Sequence, residues 1–495
     1  MSAIKALFSQ TIVYGVSTIL VRMINWALTP FYSYTFKDPT EFGIMNNLYA
    51  YIAFLNIIYM YGMETGFFRF ATDKENRAAV FRTVNGALIA TSFFFTAVLW
   101  LFADPIAHFL GFPGHTEYIE LFALILFFDN IVNIPFALLR MEGRPGKFLQ
   151  FKLINVGVNV LLNLFFFYPA LIKQYNVFGS LGFIHEPDFC VYYVFVANLV
   201  ASVVTFLCFL PQMVRFPPTF SAAIFAPIWK YSSPLIIVGL AGMINELSDR
   251  EMLKRLLKGS MHDNLHQLGL YSAVYKLSIF MTLAIQGFRM GAEPFFFKYA
   301  QEKNAPQLYA QVLTYFSIVC LFIFLVVNLF SHEIILILDP SYREALPILP
   351  ILLFANFCLG LYYNISAWYR IKDKTIYGTY ITLSGAAVTL AANFILIPLL
   401  GYYGAAITHA LTYVFMTVLC YFIGQQFFPV PYAWKKIGGY LLLALILSQL
   451  NQFIYQQEIS FPIHLFTAIL FSIVFFAIAW KIDIRAVKNL GKETA

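Results

Sequence analysis

The sequence predicts an all-α polytopic membrane protein. It has about fourteen transmembrane helices in two parallel six-helix lobes, an appended helix pair, and both termini in the cytoplasm. Three observations carry this. The 495 residues are 60% hydrophobic and 12% charged, with mean hydropathy +0.73, whereas a soluble chain carries about 25% charged residues. The apolar residues fall in blocks of about 20, the length that crosses ~30 Å of hydrocarbon as a helix. Of the Lys and Arg assigned to loops, roughly three quarters fall on the side predicted to be cytoplasmic, as the positive-inside rule requires.

Taken in order, the first six spans are read at 10–33, 43–64, 80–103, 117–139, 149–171 and 189–210. The N-terminal MSAIKALFSQ has one lysine and no small-residue cleavage site, so the first span is expected to be retained. A linker, QMVRFPPTFSAAIFAPIWK (212–230), follows; Pro217, Pro218 and Pro227 are expected to break any helix there, and its apolar character suits the inner membrane surface. Spans seven to twelve are read at 229–249, 268–290, 309–331, 346–369, 376–399 and 403–425, and the last pair at 436–455 and 462–481. The domains are thus an N-lobe (1–215), a cytoplasmic linker (216–228), a C-lobe (229–428), and the final helix pair with a cytoplasmic tail (429–495). Inner loops hold clusters such as Arg69, Lys74, Arg77 and Arg82, then Arg140, Arg144, Lys147 and Lys152; Arg250, Lys254 and Arg255 fall outside. The net charge of +7 therefore reflects membrane orientation and calls for no nucleic acid.

The two lobes come from an internal repeat. EFGIMNNLYAYI (41–52) falls on QLGLYSAVYKLS (267–278), so that Gly43 meets Gly269 and Tyr49 meets Tyr275. YGMETG (61–66) falls on QGFRMG (286–291), which sets Glu64 opposite Arg289. LLRMEGRPGKF (138–148) falls on WYRIKDKTIYG (368–378), pairing Arg140 with Arg370, and further on Asn163 meets Asn393. Six spans separate the copies, an even number, so they are parallel and imply a central cleft between lobes that rock about a bound substrate.

Charges inside the spans mark the candidate site, because intramembrane charge is costly. Arg22 lies in span one, and Lys276 and Arg289 lie in span eight. Cations facing a cleft would bind an anion, and arginine pairs bidentately with phosphate. Glu64, Asp129, Asn133 and Asp249 are the candidate ion-coupling or cleft polar residues; Asp129 and Asn133 sit in LFFDNIVNIPF, where Asn130 adds a further amide and Pro135 frees backbone carbonyls. An oxygen-rich patch of this kind suits Na⁺ or a proton. The alternative for all of these is structural: ion pairs such as Arg22 with Glu64, or interhelical hydrogen bonds. The sequence has no P-loop, no HExxH and no CxxC, and its five cysteines read as small apolar packers. No metal site or cofactor is expected. Without a loop beyond about 20 residues, no separate catalytic domain is expected and the protein is read as not an enzyme.

At this point TPFYSYTFKDPTEFGIMNNLYAYIAF (29–54) and GMETGFFRF (62–70) resemble the start of bacterial polysaccharide flippases, whose first loop has a P-x-[EQ]-[FY]-G pattern, here Pro39, Glu41, Phe42 and Gly43. SPLIIVGLAGMINELSDREMLKRLL (233–257) and LGLYSAVYKLS (268–278) resemble their seventh and eighth helices. The family is the O-antigen (Wzx-type) branch of the multidrug/oligosaccharidyl-lipid/polysaccharide exporter superfamily. The resemblance implies a multi-pass protein of the bacterial inner membrane that flips an undecaprenyl-pyrophosphate-linked oligosaccharide for surface polysaccharide synthesis. It also implies that Arg22, Lys276 and Arg289 hold the pyrophosphate, with a polysaccharide polymerase and glycosyltransferases as partners. The polar loop SMHDNLHQ (260–267) departs from the pattern. Two other readings stay open: a cation-coupled multidrug or metabolite exporter of the same superfamily, and a membrane-embedded polymerase or ligase.

Overall fold

The computed structural model describes residues 3–36, 38–73, 75–171, 190–300, 302–372, 374–457 and 461–484. The expected cytoplasmic tail beyond 484 and the expected loop cations Lys37, Lys74 and Lys173 lie outside the described residues. Every regular element among the described residues is helical. Twelve helices are long and apolar enough to cross a membrane, and a bent pair makes a thirteenth. A further helix, Ala3–Thr35, coincides with the first predicted span. The chain is a multi-pass membrane protein, since in hydrocarbon a helix is the local structure that satisfies its own backbone.

The chain divides into two compact units, Met1–Ser272 and Ala273–Ala495. The first contains α1 (Ala3–Thr35), α2 (Pro39–Met60), α3 (Met63–Phe70), α4 (Arg77–Leu101), α5 (Ala103–Leu110), α6 (Thr116–Met141), α7 (Pro145–Leu171), α8 (Cys190–Arg215) and α9 (Ala222–Leu256), and most of α10 (Met261–Leu277). In it α6 packs on α4 and α8, α7 on α8 and α1, and α9 on α2 and α3. In the second unit are α11 (Ile279–Tyr299), α12 (Ala305–Leu329), the one-turn α13 (Ser331–Ile334), α14 (Leu349–Ile365), α15 (Ala367–Ile371), α16 (Ile376–Leu400), α17 (Tyr402–Phe427), α18 (Trp434–Gln456) and α19 (Phe461–Ala479). There α17 packs on α14 and α16, and α12 joins α14 to α18 and α19.

Three boundaries differ from expectation. Pro217 and Pro218 do sit in a non-helical stretch, but Pro227 lies inside α9. It falls soon after the helix start, where a proline removes a single ladder bond from an otherwise intact helix. The polar SMHDNLHQ segment is not a loop: α10 begins at Met261, with Asp263 in its first turn. Arg250, Lys254 and Arg255 belong to α9 and not to an outer loop.

Breaks within spans are local and have identifiable causes. Between α2 and α3 the chain passes through left-handed geometry at Tyr61 (φ 32°) and Gly62 (φ 73°), a region that costs any residue with a Cβ. A Cβ at Gly62 would also strike the Ser232 carbonyl of α9. Between α10 and α11 the axis turns by 50°. The Ser278 hydroxyl at that bend donates to the Tyr275 carbonyl at 2.7 Å and accepts from Asn356 Nδ2 of α14 at 3.1 Å.

Helices in lipid gain little from apolar burial against each other; close packing of small residues and interhelical hydrogen bonds do more. The start of α2 shows both. A Cβ at Gly43 would run into the Leu265 carbonyl of α10, and a Cβ at Gly269 into the Pro39 carbonyl of α2. The two glycines paired by the internal repeat therefore face each other's helix backbone. Asp38 caps α2 through the Thr40 amide at 2.9 Å and pairs with His262 Nε2 at 2.9 Å. Partial burial pushes the Asp38 carboxyl up, but the Thr40 bonds and His262 outweigh it and hold it below the usual range. Gly269→Leu is expected to destabilise this crossing by at least about 1–3 kcal/mol, because backbone and not a flexible side chain must give way. A lower melting temperature in detergent checks this, and an unchanged one counts against the crossing.

Candidate functional site

The polar residues of the first unit converge on a cavity of about 190 Å³ among α2, α6, α7 and α8. Asn56, Asp129, Asn133, Lys152, Asn155 and Thr205 bring its polar groups, and Phe136 is one of its apolar walls. Two of the expected coupling residues, Asp129 and Asn133, are thus together, one turn apart on α6. Opposite them, Lys152 and Asn155 are one turn apart on α7. Asn155 Nδ2 donates to Thr205 Oγ1 at 2.9 Å, and the Lys152 ammonium stands 4.4 Å from the Phe136 ring centre. Lys152 feels the charge of Asp129 and also of Glu64 and Arg140. Glu64, on α3, is bound by the Arg140 guanidinium at the end of α6, which lies over the Phe68 ring at 4.8 Å. The four side chains alternate in sign and sum to zero, the condition under which charges are tolerated away from water.

The remaining first-unit candidates, Asp249 and Arg22, do not line that cavity. Asp249 is buried on α9, where its carboxylate accepts from the Tyr271 hydroxyl of α10. Arg22 is exposed on α1 and forms no ion pair among the described residues; Glu64, its suggested partner, is taken by Arg140. In the second unit Lys276 is half-buried on α10, one residue before its end. Arg289 is exposed on α11, its guanidinium 4.0 Å from the Tyr363 ring centre.

Several polar residues escaped sequence reasoning. Lys152, an inner-loop cation by sequence, lines the cavity. The available signal was its spacing from Asn155, three residues on, which puts both on one helix face. Lys254, an outer-loop cation by sequence, is fully buried. Its ammonium donates to Asn47 Oδ1 at 2.8 Å, Tyr51 Oη at 2.5 Å and the Leu110 carbonyl at 2.8 Å, with Glu251 Oε2 at 2.8 Å. Glu251 in turn binds Tyr51 and Arg255, and Arg255 donates to the Phe109 carbonyl at 2.7 Å. Two cations of α9 thus cap the carbonyl end of α5, where the helix dipole favours positive charge.

Comparison with known proteins places this arrangement. The sequence profile of a family described as polysaccharide biosynthesis protein matches residues 36–338. Among curated proteins no sequence relative matches. Solved structures similar to the chain include a lipid II flippase, MurJ, in an inward closed conformation, at TM-score 0.73 and 12% identity, covering 95% of this chain and 99% of that one. An inward-facing MATE family multidrug resistance transporter of the MOP superfamily matches at TM-score 0.62 and 14% identity, covering 85% and 98%. A MATE multidrug transporter, DinF-BH, matches at TM-score 0.58 and 16% identity, covering 86% and 97%. At such identities the likeness is one of fold.

Proposed function

The chain belongs to the polysaccharide biosynthesis protein family, and from that premise we propose that it is a flippase for a lipid-linked oligosaccharide. The cargo is an undecaprenyl-pyrophosphate-linked repeat unit, moved by alternating access across the bacterial inner membrane for surface polysaccharide assembly. The family match, which spans six of the seven candidate residues from Glu64 to Arg289, carries this reading. Sharing a fold with a lipid II flippase supports it. So does the chemistry of Arg22, Lys276 and Arg289, cations within spans read from the sequence, which suit a pyrophosphate. No bond is made or broken in this function, and no cofactor is needed.

Asp129 and Asn133, in the first-unit cavity, are the residues we assign to a coupling ion, Na⁺ or H⁺. Glu64 and Asp249, engaged by Arg140 and Tyr271, hold helices in register. The glycosyltransferases that build the repeat unit and the polymerase that uses it are the partners this reading implies. A multidrug transporter shares the fold, but three cations within the spans read from the sequence disfavour a cationic cargo.

Reconstitution tests the proposal. Vesicles with the purified chain and a polyprenyl-pyrophosphate oligosaccharide in the outer leaflet are expected to redistribute that lipid between leaflets far faster than protein-free vesicles. Export of an organic dye without movement of the glycan lipid would overturn it.

A further inference from the structure

The first-unit cavity holds a carboxylate and an ammonium on its walls without joining them. Asp129 of α6 and Lys152 of α7 both line it, and no ion pair closes between them. Both helices are long and apolar enough to cross a membrane. Asn56, Asn133, Asn155 and Thr205 add amide and hydroxyl groups to the wall. The buried Ser202 hydroxyl of α8 faces Asp129 and has no hydrogen-bond partner of normal length among the described residues. The cavity, at about 190 Å³, exceeds several-fold the roughly 10–15 Å³ that one water requires. Lys152 is the cation whose charge reaches Asp129. Lys152 in turn feels a second carboxylate, Glu64, which Arg140 already holds.

We infer that Lys152 is a tethered substitute for the coupling ion: its ammonium neutralises Asp129 when no ion is bound, and Na⁺ at Asp129 displaces it toward Glu64. The inference rests on the assignment of Asp129 and Asn133 to a coupling ion, and it names that ion. Carboxylate, amide and hydroxyl oxygens around a roomy cavity are the donor set of a hard cation; a proton on Asp129 needs neither the room nor the amides. Asp129, Lys152, Glu64 and Arg140 sum to zero, so a bound Na⁺ adds one positive charge beside an ammonium. In a low-dielectric cavity two such cations repel strongly, and Glu64 gives the displaced ammonium a second anion to face. Lys152 is thus a positioning residue that acts through Asp129. When the ion leaves, the ammonium returns, and Asp129 is spared the cost of an isolated charge between membrane-length helices. The ion-free protein can then change conformation, which a lone buried carboxylate would oppose. A weakly held, readily released cation is the consequence.

The test is thermal unfolding of the full chain in phosphatidylcholine nanodiscs at fixed pH and ionic strength, with choline chloride exchanged stepwise for sodium chloride. Lys152→Met keeps the length of the side chain and removes its charge. It is expected to melt below the wild type in choline, to regain stability as Na⁺ is added, and to have a Na⁺ midpoint at least about tenfold lower than the wild type. Asp129→Asn is expected to lose the Na⁺ response. Lys152→Gln serves as a second neutral variant if the methionine protein does not fold. A lysine that only holds helices together would lower the melting temperature at every Na⁺ concentration and leave the midpoint where it was. That result overturns the inference, as does a Na⁺ response retained by Asp129→Asn, or none in either the wild type or the neutral variants. Each of these leaves a proton on Asp129 open as the coupling ion. The coupling assignment itself fails on a different observation, namely glycan-lipid transport in vesicles at the wild-type rate by Asp129→Asn.

Discussion

Cells carrying Arg22→Ala at wild-type membrane levels are expected to lose most surface polysaccharide and to accumulate lipid-linked repeat units on the cytoplasmic leaflet. A central arginine costs about 2.5–3.5 kcal/mol to place in a membrane. Among the described residues none forms an ion pair with Arg22 to offset it. On the proposed function, what offsets this cost is the bound pyrophosphate. Losing a charge-assisted hydrogen bond of about 1.5–3 kcal/mol slows the step that needs it by about 10- to 100-fold. Arg22→Lys keeps the charge and gives up the planar fork, so intermediate export is expected. Both variants should melt close to the wild-type temperature, since neither breaks an ion pair among the described residues. Normal export by Arg22→Ala would assign Arg22 a passive role and leave the anion to Lys276 and Arg289.

The second large effect is structural. Lys254→Met is expected to destabilise the first unit by about 3–5 kcal/mol, the usual cost of removing one partner of a buried charge pair. Methionine fills the same space but donates nothing. The Asn47 amide oxygen and the Leu110 carbonyl then lose their donor in a buried setting, and Glu251 keeps only Arg255 as a cation. Arg255→Met at the exposed edge of the same cluster is expected to cost about 1 kcal/mol or less, as surface pairs do. Melting curves of the two variants in detergent separate these values. Equal losses would mean that burial of Lys254 is not what ties α9 to α2 and α5.

Much of the architecture was legible because hydrocarbon leaves few options. The expected spans 80–103, 117–139 and 376–399 became Arg77–Leu101, Thr116–Met141 and Ile376–Leu400, the last ending at Gly401, whose φ of 58° stops the helix. Two glycines that the expected repeat pairs, Gly43 and Gly269, are points of helix contact. Lys152 and Lys254 were not. Each lies near the end of an apolar run, where a snorkelling cation and a buried one look identical in sequence. Burial is decided by a helix far along the chain: Asn47 and Tyr51 lie some 200 residues before Lys254. The Glu64–Arg140 pair, 76 residues apart in the chain, was hidden for the same reason.

The crossing of α2 and α10 has a consequence for how such a protein holds its shape. Each glycine meets the carbonyl four residues before the other glycine. What one helix offers, the other receives in kind. This self-complementarity characterises an isologous interface in a two-fold homodimer, but here both faces belong to one polypeptide. Assembly of that interface is therefore independent of protein concentration, its partner being tethered at high effective concentration. The tether also frees the two faces to diverge. A homodimer must accept every substitution twice, whereas here the face of α2 and the face of α10 can each change alone.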